Sequence, residues 1–327
     1  MTRKVKQSVG IIGLGIIGSR VAANLRKNGF HVWLWNRSPR PEPNFLSSPQ
    51  EVADAANIIQ IFVTDGAALL QVVDSIALSL GPGHIVMNHA TVSPTDCREA
   101  ARRVRDVGAR FLDAPFTGSR NAAADGMLVY FIGGDAATLR DARPVLEASS
   151  KAVVEIGEIG DACAVKIATN LLVGGTVEIL AESLAVLERA GVSPSKFGVA
   201  LEHHAARSGL TDLKLPAILE GNFEPHFSTK NLFKDIRLAL EIAGGDSADL
   251  PGAEAVAGCL MSALSRGYGD EDMSSMSRLF RAEIGSVIGG SATPPPPNSP
   301  PPSASGSNPS GGPGSEASPA TAIGSLS

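Results

Sequence analysis

The chain is poor in cysteine, and what it has is badly spaced for a disulfide framework. Cys97, Cys163 and Cys259 are odd in number and far apart, and no CxxC pair marks a zinc site. That spacing predicts reduced thiols, no metal and a cytoplasmic setting. A Lys/Arg run is also missing and the formal net charge is −5, so the basic footprint that holds nucleic acid is lacking. No uninterrupted apolar stretch approaches the roughly 20 residues needed to cross a bilayer, which predicts a protein that does not span one. The start, MTRKVKQSVGIIGLGIIG, sets basic residues before an apolar run. It lacks a convincing cleavage site and continues directly into SRVAANLRKNG, so it is not read as a secretory leader. What remains is a length of 327 residues with 43% hydrophobic residues, enough for two globular domains with a sizeable core.

Through the first half, short apolar runs alternate with helix-like segments. SVGIIG, HVWLW, NIIQIFV, HIVMNH, ARFLDAP, MLVYFIGG and AVVEIG read as strands of βαβ units wound into a mostly parallel sheet. From residue 161 the strand signals stop, and helical patterns cover 161–190, 194–204, 228–243, 251–266 and 270–284. The expected fold class is therefore α/β: a Rossmann-type doubly wound sheet over residues 1–160, then an all-helical domain over 161–289. After Gly289 the composition turns to Pro, Ser and Gly, with too few large apolar groups to offset the entropy of ordering, so residues 290–327 are expected to be a disordered tail.

VGIIGLGIIGSR places Gly13, Gly15 and Gly18 in GxGxxG spacing after a strand and at the opening of a helix, with Leu14, Ile16 and Ile17 between them. In that context the motif predicts a dinucleotide site, with the pyrophosphate at the helix N-terminus. An acidic residue at the end of the second strand would bind a ribose 2′-hydroxyl. Here WNRS supplies Asn36, Arg37 and Ser38 and no carboxylate, which favours NADP(H) over NAD.

A nicotinamide cofactor calls for a group that handles the accompanying proton. Lys166 stands in the apolar run GDACAVKIATNLLVGG, with Asn170 one turn later on the same face and Gly174 beyond it, where a missing side chain would leave room for a ligand. Periodicity alone also allows a lysine snorkelling to solvent. The FLDAPFTGSR segment adds a turn, Thr117, Gly118 and Ser119, whose amides and hydroxyls could hold a carboxylate.

GLGIIG, DAPFTGS with AADG, GDACAVKIATN and KDIRLAL follow one another in an order that resembles the β-hydroxyacid dehydrogenase family, over residues 8 to about 287. That family includes 3-hydroxyisobutyrate dehydrogenase, tartronate semialdehyde reductase and glyoxylate/succinic semialdehyde reductase. The resemblance implies Lys166 as the catalytic lysine with Asn170 beside it, and Thr117, Gly118 and Ser119 as the carboxylate loop. It also implies Thr91 near nicotinamide and substrate, Lys234 near the cofactor, and Phe227 and Asp235 shaping the site. It further implies a homodimer or homotetramer acting on a small carboxylate-bearing substrate. Two departures are visible: Thr117 and Ser119 stand where the family usually has serine and glycine, and PRPEPNF makes a short connection where the family usually has a longer segment with its own helix. An imine reductase of the same architecture is an alternative, against which Lys166 speaks. A noncatalytic NADP-binding interaction protein with a partner-recruiting tail is another.

Overall fold

Valine- and isoleucine-rich runs of four to six residues build most of the sheet, because branched side chains pack well on a pleated surface buried on both faces. The structure, a computed structural model, describes residues 8–245 and 249–280. The strands are β1 (Ser8–Ile12), β2 (His31–Trp35), β3 (Ile58–Ile61), β4 (Ile85–Asn88), β5 (Arg110–Asp113), β6 (Phe116–Thr117), β7 (Leu128–Gly133) and β8 (Ser150–Gly157). Their order is β2-β1-β3-β4-β5-β7-β6, with β8 also paired to β7. β1 to β5 are parallel, β7 runs antiparallel to β5 and β6, and β8 is parallel to β7. The expected seven strands are present; β6 is too short to register as a pattern.

The sheet is covered on both faces. One cluster packs α1 (Gly18–Lys27), α5 (Arg120–Ala124) and α6 (Ala136–Glu147) through residues such as Val21, Leu25, Ala123 and Leu139. The other packs α2 (Pro49–Ala55), α3 (Gly66–Ile76) and α4 (Pro94–Asp106) through Val52, Leu69, Val73 and Cys97. Ser48, Asp65, Ser93, Ser119 and Asp135 cap five of these helices with side-chain oxygens. The helix α2 corrects the expectation of a bare connection between β2 and β3: Ser48 caps it and Pro49 takes the first turn, where no amide is needed.

From α7 (Asp161–Arg189) onward the structure is helical, with α8 (Ser195–Leu201), α9 (Gly209–Glu220), α10 (Thr229–Ile242) and α11 (Pro251–Ser265). Helix α9, with Pro216 inside it, is absent from the sequence reading, and the helix expected over 270–284 is a 3-10 segment, Met273–Leu279. The reason for the latter is local: the Asp272 carboxylate accepts from the Ser274 amide and hydroxyl, and a serine-rich run competes with α-helical bonding. The tail expected over 290–327, and the last residues of the helical segment, lie outside the described residues. By length and composition α7 would pass for a membrane span. One side of it packs instead on α9, α10, α11, the 3-10 segment and β7.

Gly174 does not open a ligand space. A Cβ there would meet Val256 Cγ1 at 3.0 Å and Ile236 Cδ1 at 3.3 Å, so the glycine serves close helix packing. Nearby, Lys214 and Asp272 form an ion pair with both side chains 2% exposed, at 2.7 and 2.8 Å to the two oxygens. Asp272 also accepts from the amides of His226, Phe227 and Ser274, which pins the α9–α10 loop to the 3-10 segment. Breaking one member of such a pair strands a buried charge, at about 3–5 kcal/mol. Lys214→Met is therefore expected to lower the unfolding free energy measured by urea titration by that order, whereas a change under about 1 kcal/mol would show that the pair is solvated.

Candidate active site

The site begins at the C-terminal ends of β1 and β4. Gly13 leaves β1 at φ +103°, and a Cβ there would lie 2.0 Å from the Phe62 carbonyl oxygen, so only glycine fits this crossing. Helix α1 starts without a side-chain cap or an acidic residue in its first turn, and Gly15 has open space around it. Uncapped amides at a helix N-terminus suit a phosphate, so the residues present fit the diphosphate of a dinucleotide. The Leu14 side chain is buried and its amide donates to Asn36 Oδ1 at 2.9 Å, while Asn36 Nδ2 donates to the Ser38 carbonyl. Asn36 thus ties the glycine loop to β2, and Leu14 has no amide left to offer. Ile16 and Ile17 sit in the turn that opens α1, Ile16 exposed and Ile17 packed on the core. Arg37 and Ser38 are exposed at the end of β2, and the Arg37 guanidinium has no partner among the described residues.

The second part hangs on the start of α7. Asp113, fully buried at the end of β5, accepts from the Gly160 amide at 3.1 Å and the Cys163 amide at 2.9 Å, and so caps α7 from across the sheet. Cys163 Sγ donates to the other carboxylate oxygen at 3.0 Å, and Cys97 stands close by. Sequence spacing gives no hint of this meeting of two thiols and a carboxylate. Burial pushes the Asp113 carboxyl up, and Cys97 beside it together with burial pushes the Cys163 thiol well up.

One turn past Cys163, a chain of polar groups crosses from α7 to the sheet. Lys166 Nζ donates to Asn170 Oδ1 at 2.8 Å, and Asn170 Nδ2 donates to Asp235 Oδ2 at 2.5 Å. Lys234 Nζ donates to Asp235 Oδ1 at 2.6 Å and to the Thr91 carbonyl oxygen at 2.5 Å. The structure therefore brings Lys166, Asn170, Asp235, Lys234 and Thr91 into one network. Lys166 is half-buried, while Asn170 and Asp235 are buried. Desolvation pushes the Lys166 ammonium down to about 8; the Asp235 carboxylate resists this and Lys234 adds to it. Burial pushes the Asp235 carboxyl up, chiefly opposed by Lys234. The neutral Asn170 amide is the group that holds Lys166, so its remaining N–H donors are free to meet a substrate oxygen.

The turn between β6 and α5 supplies a third part. Thr117 is exposed in β6, Gly118 is at φ +139°, and Ser119 caps α5 by accepting from the Ala122 amide. A Cβ on Gly118 would lie 2.8 Å from Leu128 Cδ2, so this turn depends on glycine. Ser119 accepts at its oxygen and keeps its hydroxyl proton to donate. Phe227 packs half-buried on the helical core, with its amide donating to Asp272. Its place is fixed by the Lys214–Asp272 pair, which sequence reading missed. The one available signal was Lys214 itself, a lysine in the apolar stretch LKLPAIL.

Comparison with known proteins places both parts of the chain in one family. Residues 8–157 match the profile of the NAD binding domain of 6-phosphogluconate dehydrogenase. Residues 160–280 match that of the NAD-binding domain of NADP-dependent 3-hydroxyisobutyrate dehydrogenase. The chain is 29% identical over 287 residues to glyoxylate/succinic semialdehyde reductase 2, chloroplastic, of Arabidopsis thaliana, covering 84% of this chain and 80% of that one. It is 30% identical over 278 residues to the cytokine-like nuclear factor N-PAC of Mus musculus, covering 84% of this chain but 51% of that longer protein. Among solved structures, a 3-hydroxyisobutyrate dehydrogenase from Salmonella typhimurium superposes with a TM-score of 0.75 at 28% identity, over 84% of this chain and all of that one. With two consecutive domain profiles spanning nearly all the described residues, the chain belongs to the β-hydroxyacid dehydrogenase family, NAD(P)-dependent oxidoreductases of the 3-hydroxyisobutyrate dehydrogenase type.

Proposed function

We propose that the protein is an NADP-dependent oxidoreductase that interconverts a small β-hydroxy acid and its semialdehyde, with Lys166 as general acid and base. The observation that carries this reading is the state of Lys166: half-buried, held by a neutral amide, and pushed down to about 8. When bound, the nicotinamide supplies or takes up the hydride. Lys166 Nζ donates a hydrogen bond and then a proton to the oxygen that becomes the hydroxyl, and in the other direction the neutral amine accepts it. Asn170 sets the direction of Nζ, and Asp235 fixes Asn170 while balancing the charge of Lys234. The turn Thr117–Gly118–Ser119 is the proposed seat of the substrate carboxylate, with Phe227 closing the far side. A free lysine near 10.4 would favour reduction. With the amine near 8, roughly a tenth is neutral at pH 7, so the residue can serve both directions.

The NADP preference rests on Arg37 and on the missing acid at the end of β2. The assembly proposed is a homodimer or a tetramer built from it. Leu172, Ile179 and Val186 stand 70, 60 and 61% exposed on α7 at steps of seven residues, a self-complementary apolar stripe of the kind that a twofold pair of helices buries. Three free thiols accord with a reducing compartment, and the cytoplasm is the one proposed.

An NADPH-oxidation screen against glyoxylate, succinic semialdehyde, tartronate semialdehyde and methylmalonate semialdehyde, repeated with NADH, tests the activity. Turnover with at least one aldehyde is expected. Retained cofactor binding without turnover on any of them would favour the noncatalytic reading. Lys166→Ala is expected to lose about 10²–10⁴ in kcat with cofactor affinity retained. In the wild type, kcat/KM for reduction should fall as pH rises through about 8 while that for oxidation rises, since the ammonium donates and the amine accepts. Profiles flat across that range would remove Lys166 from the chemistry. Arg37→Ala should raise KM for NADPH about 10- to 100-fold, as loss of a charge-assisted bond does, and leave NADH nearly unchanged. Equal effects on both would dismiss the 2′-phosphate role. Ile179→Glu should convert the assembly to monomers in sedimentation velocity, and an unchanged mass would place the interface elsewhere.

A further inference from the structure

Apart from the capped first turn of α7, two side-chain bonds among the described residues tie the helical segment to the loops around the site. One is Lys234 to the Thr91 carbonyl. The other is an ion pair between Arg120 and Glu224. Arg120 is the first residue of α5 and follows Ser119 directly, so its backbone is part of the carboxylate turn. Glu224 lies in the α9–α10 loop, three residues before Phe227. The pair thus bridges the two segments between which a substrate would sit.

The two partners are not equivalent. Arg120 is 26% exposed, and a single terminal nitrogen, Nη1, meets Glu224, which leaves the remaining fork of donors without a bond among the described residues. Glu224 is 60% exposed and has His226 as a second, weaker positive neighbour, so in solvent it loses little when released. A guanidinium presents a planar fork that matches a carboxylate bidentately, which a one-nitrogen contact does not use. We propose that Arg120 is a substrate-recognition residue: its guanidinium leaves Glu224 and takes up the anionic group of the substrate beside the Thr117–Gly118–Ser119 turn. The substrate class is then an aldehyde or hydroxy acid whose carboxylate, or a second acidic group, reaches past that turn. Glu224 acts as the resident competitor that keeps Arg120 in place before substrate arrives. The inference rests on the oxidoreductase reading above, but its binding consequences do not require turnover.

The test pairs kinetics with binding. For succinic semialdehyde and for butanal, which has similar reach without the acid, KM is measured in the wild type, Arg120→Gln, Arg120→Lys and Glu224→Gln. Arg120→Gln should raise KM for succinic semialdehyde at least tenfold and leave butanal within twofold, and Arg120→Lys should recover part of the loss. Glu224→Gln should lower KM for the acid severalfold, since the competitor is gone. In parallel, succinate is titrated calorimetrically into the NADP⁺-loaded protein; Arg120→Gln should weaken it and Glu224→Gln strengthen it. If both aldehydes suffer equally in Arg120→Gln, or if Glu224→Gln weakens succinate, the pair is only a latch between the two segments and the proposal is overturned. If the wild type turns over no aldehyde, the oxidoreductase reading fails by itself, and the succinate titrations still decide the role of Arg120.

Discussion

The Asp113 carboxylate is the point on which the arrangement depends. It closes the end of β5 and at the same time receives two amides from the first turn of α7. A buried carboxylate without such donors would be costly, and an uncapped buried helix terminus equally so. Each defect cures the other, and the result is a fixed joint between sheet and spine helix. Because Lys166 lies one turn beyond Cys163, the direction in which its ammonium points is set at this joint and not by Lys166 itself.

Two lysines of this chain stand in apolar helical runs, and they meet opposite fates. Lys214 is buried against both oxygens of Asp272, so its charge is fully used in holding the α9–α10 loop. Lys166 is held by an amide, and the nearest carboxylate, Asp235, is shared between Asn170 and Lys234. The difference lies in the partner. A carboxylate directly bonded to an ammonium ties it down as a strut, whereas the amide beside Lys166 orients the nitrogen and leaves desolvation free to lower its proton affinity. That is the physical ground on which Lys166 is proposed for the chemistry while Lys214 holds the loop.

Much of the architecture was legible because its causes are local. The strands of β1 to β5 are runs that only a doubly covered sheet can bury, and the left-handed φ of the glycines at 13 and 118 is a property of their own turns, although the crossings with Phe62 and Leu128 that also demand glycine are not local. Helix α2 and the 3-10 segment were misjudged because capping at Ser48 and carboxylate bonding at Asp272 outweigh pattern over such short lengths. Gly174 was misjudged because its neighbours Val256 and Ile236 are some sixty to eighty positions away, a contact that no helical periodicity encodes.

The sequence by itself determined the types of most elements, the glycine loop after β1, the absence of an acid at the end of β2, and the lysine and asparagine one turn apart on α7. These follow from spacing along one element, where geometry is dictated by the backbone repeat. Only the tertiary structure decided which charges meet: Asp113 with the start of α7, Asp235 with Lys234 and Asn170, Lys214 with Asp272, Arg120 with Glu224. Electrostatic partners act through distances of about 3 Å that chain separation does not predict, and the same lysine can be a strut or an acid according to which oxygen it finds.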